Sequence, residues 1–199
     1  AGAIAFEAGW VAWRVLETLA PRADFDLAAA PGRLPEGYLR LNRAAPPFTL
    51  TSQQGAALRL EDLRGRVVLL TFAFGHCAQI CPATVKRLEA VARELPELAP
   101  RVVVITLDAW RDTPGTLSAI AERWALEPQT VLLSGDVRAV NATLDAYEVA
   151  RQRDERTGDI DHPPLVYVID PQGRIAFAYV SPAPRWLVDA ARRAALSDS

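Results

Sequence analysis

The chain is punctuated by short apolar runs separated by amphipathic stretches. VVLLTFAF at 67–74, VVVITLDA at 102–109, TVLLSG at 130–135, LVYVID at 165–170 and RIAFAYV at 174–180 read as buried strands, because they are rich in β-branched and aromatic residues. PATVKRLEAVAREL, TPGTLSAIAERWA, DVRAVNATLDAY and PRWLVDAARRAAL carry apolar residues at helical spacing. FTLT and LRL, divided by SQQGAA, predict a β-hairpin that turns at Gly55. EDLRG predicts a short helical turn stopped by glycine, and the helix 136–147 is expected to run on into a strand YEVARQ. The charged stretch RDERTGDID predicts a loop or hairpin tip, and PQG closes a last hairpin. Strands that alternate with helices, then a hairpin and a final helix, predict an α/β fold with a central mixed sheet covered on both faces.

Before Phe48 the pattern changes. Residues 31–47, PGRLPEGYLRLNRAAPP, are proline-rich and read as an extended connector. The opening AGAIAFEAGWVAWRVLETLA suits an amphipathic helix with Ile4, Trp10, Val11, Trp13, Val15 and Leu16 on its apolar side. Glu7, Arg14 and Glu17 interrupt it, so it predicts no membrane span. Two parts are therefore expected: a helical extension with its connector at 1–45, and a compact domain at 46–199. The length of 199 residues suffices for one sizeable core, and a net charge of −2 argues against nucleic acid as a partner. The tryptophans, Trp10, Trp13, Trp110, Trp124 and Trp186, are expected to be packing residues.

Chemistry concentrates in FAFGHCAQICP at 72–82, which holds both cysteines, Cys77 and Cys81, and one of the two histidines, His76. A strand leads in and a helix leads out, so the turn lies at the carboxyl end of a strand, where ligands gather. Pro82 suits a first helical position and puts Cys81 at or beside the N-cap. The positive end of the helix dipole is there expected to favour a thiolate. Two thiols one turn apart can pinch a soft metal ion or close a disulfide, and burial as two small apolar residues is the plainer alternative. Both cysteines of the chain falling in a single turn favours chemistry over burial. His76 diverges from its neighbour and is expected to be an exposed bystander. A hairpin before the first core strand and a thiol turn after it narrow the fold to a thioredoxin-like one.

The chain resembles the Sco/SenC family of copper-binding thioredoxin-fold proteins. The residues carrying the resemblance are C-x-x-x-C-P (Cys77, Cys81, Pro82), WRDTP at 110–114, LLSGD at 132–136 and DHPPLVYVIDPQG at 161–173, spread in order over residues 46–196. The resemblance implies one copper ion, Cu(I) or Cu(II), held by Cys77, Cys81 and His162, the histidine five residues before Tyr167. Thiolates suit soft Cu(I), and imidazole accommodates either oxidation state. It also implies a role in assembling the dinuclear copper centre of cytochrome c oxidase. The partners would be the copper-receiving subunit and a further periplasmic copper chaperone or thioredoxin-like protein. The location would be the periplasm or the outer face of a bacterial plasma membrane, with a tether in an N-terminal segment absent from this chain. A monomer is expected. Asp161 or Asp159 could orient the His162 ring.

The chain departs from the family pattern at Ala78 and Gln79, where Pro-Asp is usual, and at Pro164. Pro164 stands three residues before Tyr167, where thiol–disulfide oxidoreductases of this fold carry a cis-proline, so a cis bond is open to it. Three functions therefore compete: a copper metallochaperone, which is no enzyme in the turnover sense; a thiol–disulfide oxidoreductase working through Cys77 and Cys81; and a binding scaffold with idle cysteines. Structural zinc is disfavoured, because such sites close with four protein ligands and three candidates exist. A peroxiredoxin is disfavoured too, since its upstream Thr and Pro are missing before Cys77.

Overall fold

The computed structural model describes residues 39–77 and 80–196. The predicted opening helix, with Trp10 and Trp13, lies outside the described residues, as do Ala78 and Gln79. Among the described residues ten strands and four helices follow one another: β1 (Leu39–Ala44), β2 (Thr49–Ser52), β3 (Ala57–Arg59), β4 (Val68–Ala73), α1 (Ile80–Arg93), β5 (Arg101–Thr106), α2 (Leu117–Arg123), β6 (Thr130–Ser134), α3 (Val137–Ala146), β7 (Gln152–Arg153), β8 (Ile160–Asp161), β9 (Leu165–Ile169), β10 (Arg174–Val180) and α4 (Pro184–Ala195). A 3₁₀ turn, Leu60–Leu63, stands where EDLRG predicts one, and Gly65 ends it at φ +80°.

Eight of these strands make one sheet in the order β1-β10-β9-β4-β5-β6-β2-β3. β4, β5 and β6 run parallel, and β9, β10, β1, β2 and β3 join antiparallel to their neighbours. Every residue of β4 and β6 is buried, so both faces of the sheet are covered, which is why these strands read as unbroken apolar runs. α1 and α4 pack on each other and against β5 and β9, while α2 rests on β6 and α3 on β2. Helix α1 is pinned by Glu89, a buried carboxylate that accepts from Lys86 Nζ (2.7 Å), the Glu127 amide (2.8 Å) and Thr130 Oγ1 (2.7 Å). Asp136 caps α3 by accepting from the amides of Arg138 and Ala139. This is the thioredoxin-like architecture expected, with the β2–β3 hairpin turning at Gly55 (φ +79°). No described helix is long and apolar enough to cross a membrane.

Two segments differ from expectation. Leu39–Ala44, assigned by its prolines to the connector, pairs with β10 from Leu39 opposite Ala178 to Ala44 opposite Arg174. The prolines flank LRLNRA without entering it, so its amides are free to pair. A bulge at Asn42 (φ +43°) is clamped by Arg174 Nε on the Asn42 side-chain oxygen (2.9 Å). Of YEVARQ only Gln152 becomes strand, as the first residue of the two-residue β7. The first half of YEVARQ is consumed in ending α3: the amides of Tyr147, Glu148 and Val149 bond back to the carbonyls of Thr143, Asp145 and Leu144. Backbone groups spent on a helix terminus cannot pair in a strand.

Tyr147 is instead a core residue, buried against Phe72 and Tyr167, and its carbonyl accepts the Tyr167 hydroxyl at 2.6 Å. Tyr167→Phe strands that carbonyl and is expected to lower stability by about 1–2 kcal/mol. In urea unfolding the midpoint should fall with the m-value unchanged.

Candidate metal centre

β4 delivers the chain to the cysteine turn, and the turn is fixed from beneath. The Gly75 amide donates to Asp112 Oδ2 at 2.7 Å, and the Gly75 carbonyl accepts from Arg123 Nη2 at 2.6 Å. Position 75 has no room for a side chain, since a Cβ there would stand 2.6 Å from Asp112 Oδ1 and 2.7 Å from Ile120 Cδ1. Asp112 also accepts Thr106 Oγ1 at 2.6 Å. Burial raises its pKa above the usual carboxylate range, and these two hydrogen bonds oppose the rise. Within the sequence Asp112 is visible only as part of WRDTP, in a charged loop that gives no sign of burial.

The turn then closes with the Cys77 amide on the Phe74 carbonyl at 3.1 Å. Helix α1 begins at Ile80, so Cys81 and Pro82 are its second and third residues. The Cys81 amide donates to Cys77 Sγ at 3.2 Å, so the Cys77 sulfur caps an amide of the first turn. Both thiols are free, Cys77 half-buried and Cys81 only 3% exposed. At Cys81 the expected dipole effect is overruled. Burial, and next the neighbouring Cys77 sulfur, push its thiol well up, because a buried thiolate loses more hydration than the helix end returns. Beside the turn, Gly75, His76, Cys77, Pro82, Arg123 and Trp124 line an open depression. His76 is exposed as expected, and Ile80 is 67% exposed next to Cys81.

His162 arrives from β8, whose last residue is Asp161. Its ring meets Phe74 edge-on, with centroids 6.1 Å apart and planes at 72°. Phe74 is the residue whose carbonyl closes the cysteine turn, so the imidazole is brought to that turn through the aromatic ring. His162 Nδ1 lies 3.0 Å from the Pro163 carbonyl. With the proton on Nδ1 donated there, Nε2 is left with its lone pair for a ligand. Burial lowers the His162 pKa, which keeps the ring neutral, the form a metal takes. The Pro163 carbonyl thus does the orienting suggested for Asp161 or Asp159, which are both exposed. Among the described residues no three His, Cys, Asp or Glu side chains stand close enough together to hold a metal ion. Two sulfurs share one turn, and the imidazole reaches that turn without completing a trio. No described peptide bond is cis, so the cis form open to Pro164 is not taken. Trp124 and Trp186 are buried and half-buried, but Trp110 is 57% exposed, with the Arg153 guanidinium 5.5 Å above its ring.

The sequence model of the SCO1/SenC family matches residues 37–190. A SCO2-like protein of Rickettsia prowazekii is 30% identical over 135 residues, covering 64% of this chain and 65% of that protein. Protein SenC of Rhodobacter capsulatus is 30% identical over 131 residues, 63% of this chain and 58% of the relative. The chain thus spans less than two thirds of the length of these relatives. Among solved structures, Bradyrhizobium japonicum ScoI with copper bound superposes with a TM-score of 0.64 at 28% identity, over 76% of this chain and 97% of the other.

Gly75→Ala forces a Cβ against Asp112 and Ile120 and is expected to cost about 2 kcal/mol, read as a lower midpoint in urea. In the reduced native protein, iodoacetamide should alkylate Cys77 well before Cys81, as peptide mass mapping over a time course would show.

Proposed function

The chain belongs to the SCO1/SenC family, and on that premise we propose that it is a metallochaperone that carries copper to the dinuclear copper centre of cytochrome c oxidase. The observation that carries this reading is a pair of free thiols on the turn after β4, with the His162 imidazole packed edge-on against Phe74 at the start of that turn. Cys77 and Cys81 supply soft sulfur for Cu(I), and His162 Nε2 supplies the nitrogen that also accommodates Cu(II). Copper is the cargo. Its capture draws the imidazole from its seat on Phe74 on to the two sulfurs, and a trio of ligands leaves one side open for hand-over to a partner. The copper held by the Bradyrhizobium japonicum relative supports the assignment. The partner is the copper-receiving oxidase subunit, met at the outer face of a bacterial membrane.

A second reading rests on the unequal exposure of the thiols. The Cys77 thiolate attacks a partner disulfide, forms the mixed disulfide and releases one partner thiolate. The Cys81 thiol then gives its proton to that released thiolate, its sulfur attacks the Cys77 sulfur, and the second partner thiolate leaves. The partner is reduced by two electrons, and the Cys77–Cys81 disulfide holds the oxidation. This would prepare a partner's cysteines to accept copper.

His162 separates the two. The reduced protein is expected to bind one copper ion per chain under anaerobic conditions. His162→Ala should weaken Cu(II) binding by about a hundredfold while disulfide exchange stays within about twofold of wild type. Unchanged Cu(II) affinity in that variant rejects the three-ligand carrier.

A further inference from the structure

The cysteine turn and the histidine segment belong to different parts of the chain, and a line of polar groups connects them. It starts at the Gly75 amide on Asp112 Oδ2 (2.7 Å), which also accepts Thr106 Oγ1 (2.6 Å). Thr106 Oγ1 in turn accepts the Asp108 amide at 3.0 Å. The Asp108 side chain is fully buried and engages two arginines: Arg111 through Nε, and Arg153 through Nη1 at 3.0 Å from Oδ1. Arg111 continues to the Gly158 carbonyl in the loop between β7 and β8. Arg153 lies in β7, paired with Ile160, while its neighbour Gln152 is opposite Asp161. Asp161 immediately precedes His162.

The β7–β8 hairpin has two residues per strand and little to hold it by itself. Ile160 is its one buried residue, and the others between 152 and 161 are exposed or half-buried. Its attachment therefore falls to the Asp108 carboxylate. Water cannot compete at that carboxylate, so losing either arginine leaves charge poorly compensated. Arg153 adds a second hold by lying over the exposed Trp110 ring, on the same loop as Asp108.

We propose that Asp108 is the positioning residue for His162. By clasping Arg111 and Arg153 it fixes the hairpin that ends at the imidazole, and through Thr106 and Asp112 it references that hairpin to the cysteine turn. The two halves of the donor set are thereby held to a common frame. This rests on reading His162 as a copper ligand.

The test uses the whole chain with Arg153→Gln, Arg153→Lys and Asp108→Asn. In the copper-free protein the ring-current shift that Phe74 imposes on the His162 ring protons, read by NMR, should collapse in Arg153→Gln and largely return in Arg153→Lys. With copper sulfate added, Cu(II) affinity of Arg153→Gln should fall about tenfold, and the nitrogen hyperfine pattern in the EPR spectrum should broaden. Cu(I) affinity, carried by the two sulfurs, should stay within about threefold. Asp108→Asn should move each readout in the same direction and further. Arg153→Gln, a change on the exposed side of the clasp, decides the question if Asp108→Asn does not fold. Wild-type His162 shifts and Cu(II) binding in Arg153→Gln overturn the proposal, and so does an equal loss of Cu(I) and Cu(II). A wild-type protein that takes up no copper defeats the carrier reading, while the copper-free NMR comparison still decides whether the clasp positions His162.

Discussion

One hydrogen bond between a buried carboxylate and a glycine amide organises this molecule. Asp112 reaches under the end of β4 and takes the Gly75 N–H at 2.7 Å, in a space that leaves nothing for a side chain at position 75. A carboxylate is costly to bury, and it is tolerated here because its oxygens are met by donors whose places the sheet already dictates. Phe74, His76 and Cys77 leave the strand in the directions that this contact permits. The thiol turn is therefore not a free loop capped by two cysteines. It is the exposed end of a rigid connection running from β5 through the segment before α2.

Burial settles the character of the donors. At Cys81 desolvation outweighs the helix terminus, so the buried sulfur keeps its proton and the half-buried Cys77 is the one open to approach. At His162 the same desolvation acts on a base and removes the proton, which leaves a neutral ring resting against Phe74. Burial thus pushes a thiol and an imidazole in opposite directions on the pH scale and favours the neutral form of each. A soft cation is the natural partner for such a set, because it can displace the thiol protons and finds the ring already unprotonated.

Much of this was legible in the residues, for definable reasons. The core strands declare themselves because burial on both faces demands unbroken apolar runs, as in VVLLTFAF and VVVITLDA. The cysteine turn is conspicuous because both sulfurs of the chain fall in it. What escaped depends on tertiary context. Leu39–Ala44 becomes a strand only because β10 offers it an edge, and the surrounding prolines mask it. Val149 looks like a strand residue, yet its amide closes a helix. Asp112 looks like a solvated loop acid until the chain folds over it, and Asp108, which the apolar run draws into a strand, stands just past the end of β5 as a buried anchor for two arginines. Trp110, by contrast, is apolar enough to suggest the core and yet lies outside, covered by an arginine. Local pattern reports periodicity well, and it reports poorly on which polar group another part of the chain will come to meet.

The strand order has a consequence for how such a chain comes into being. β9 slots between β4 and β10, so the middle of the sheet waits for residues beyond 165, and β1 stays without its neighbour until β10 has been made. During vectorial synthesis the paired sulfurs therefore emerge unshielded, while the imidazole at 162 arrives only about eighty residues later. Loop closure over such spans is slow, so the nascent molecule passes through a period as a bare dithiol, exposed to any oxidant in its compartment before its own architecture can protect it.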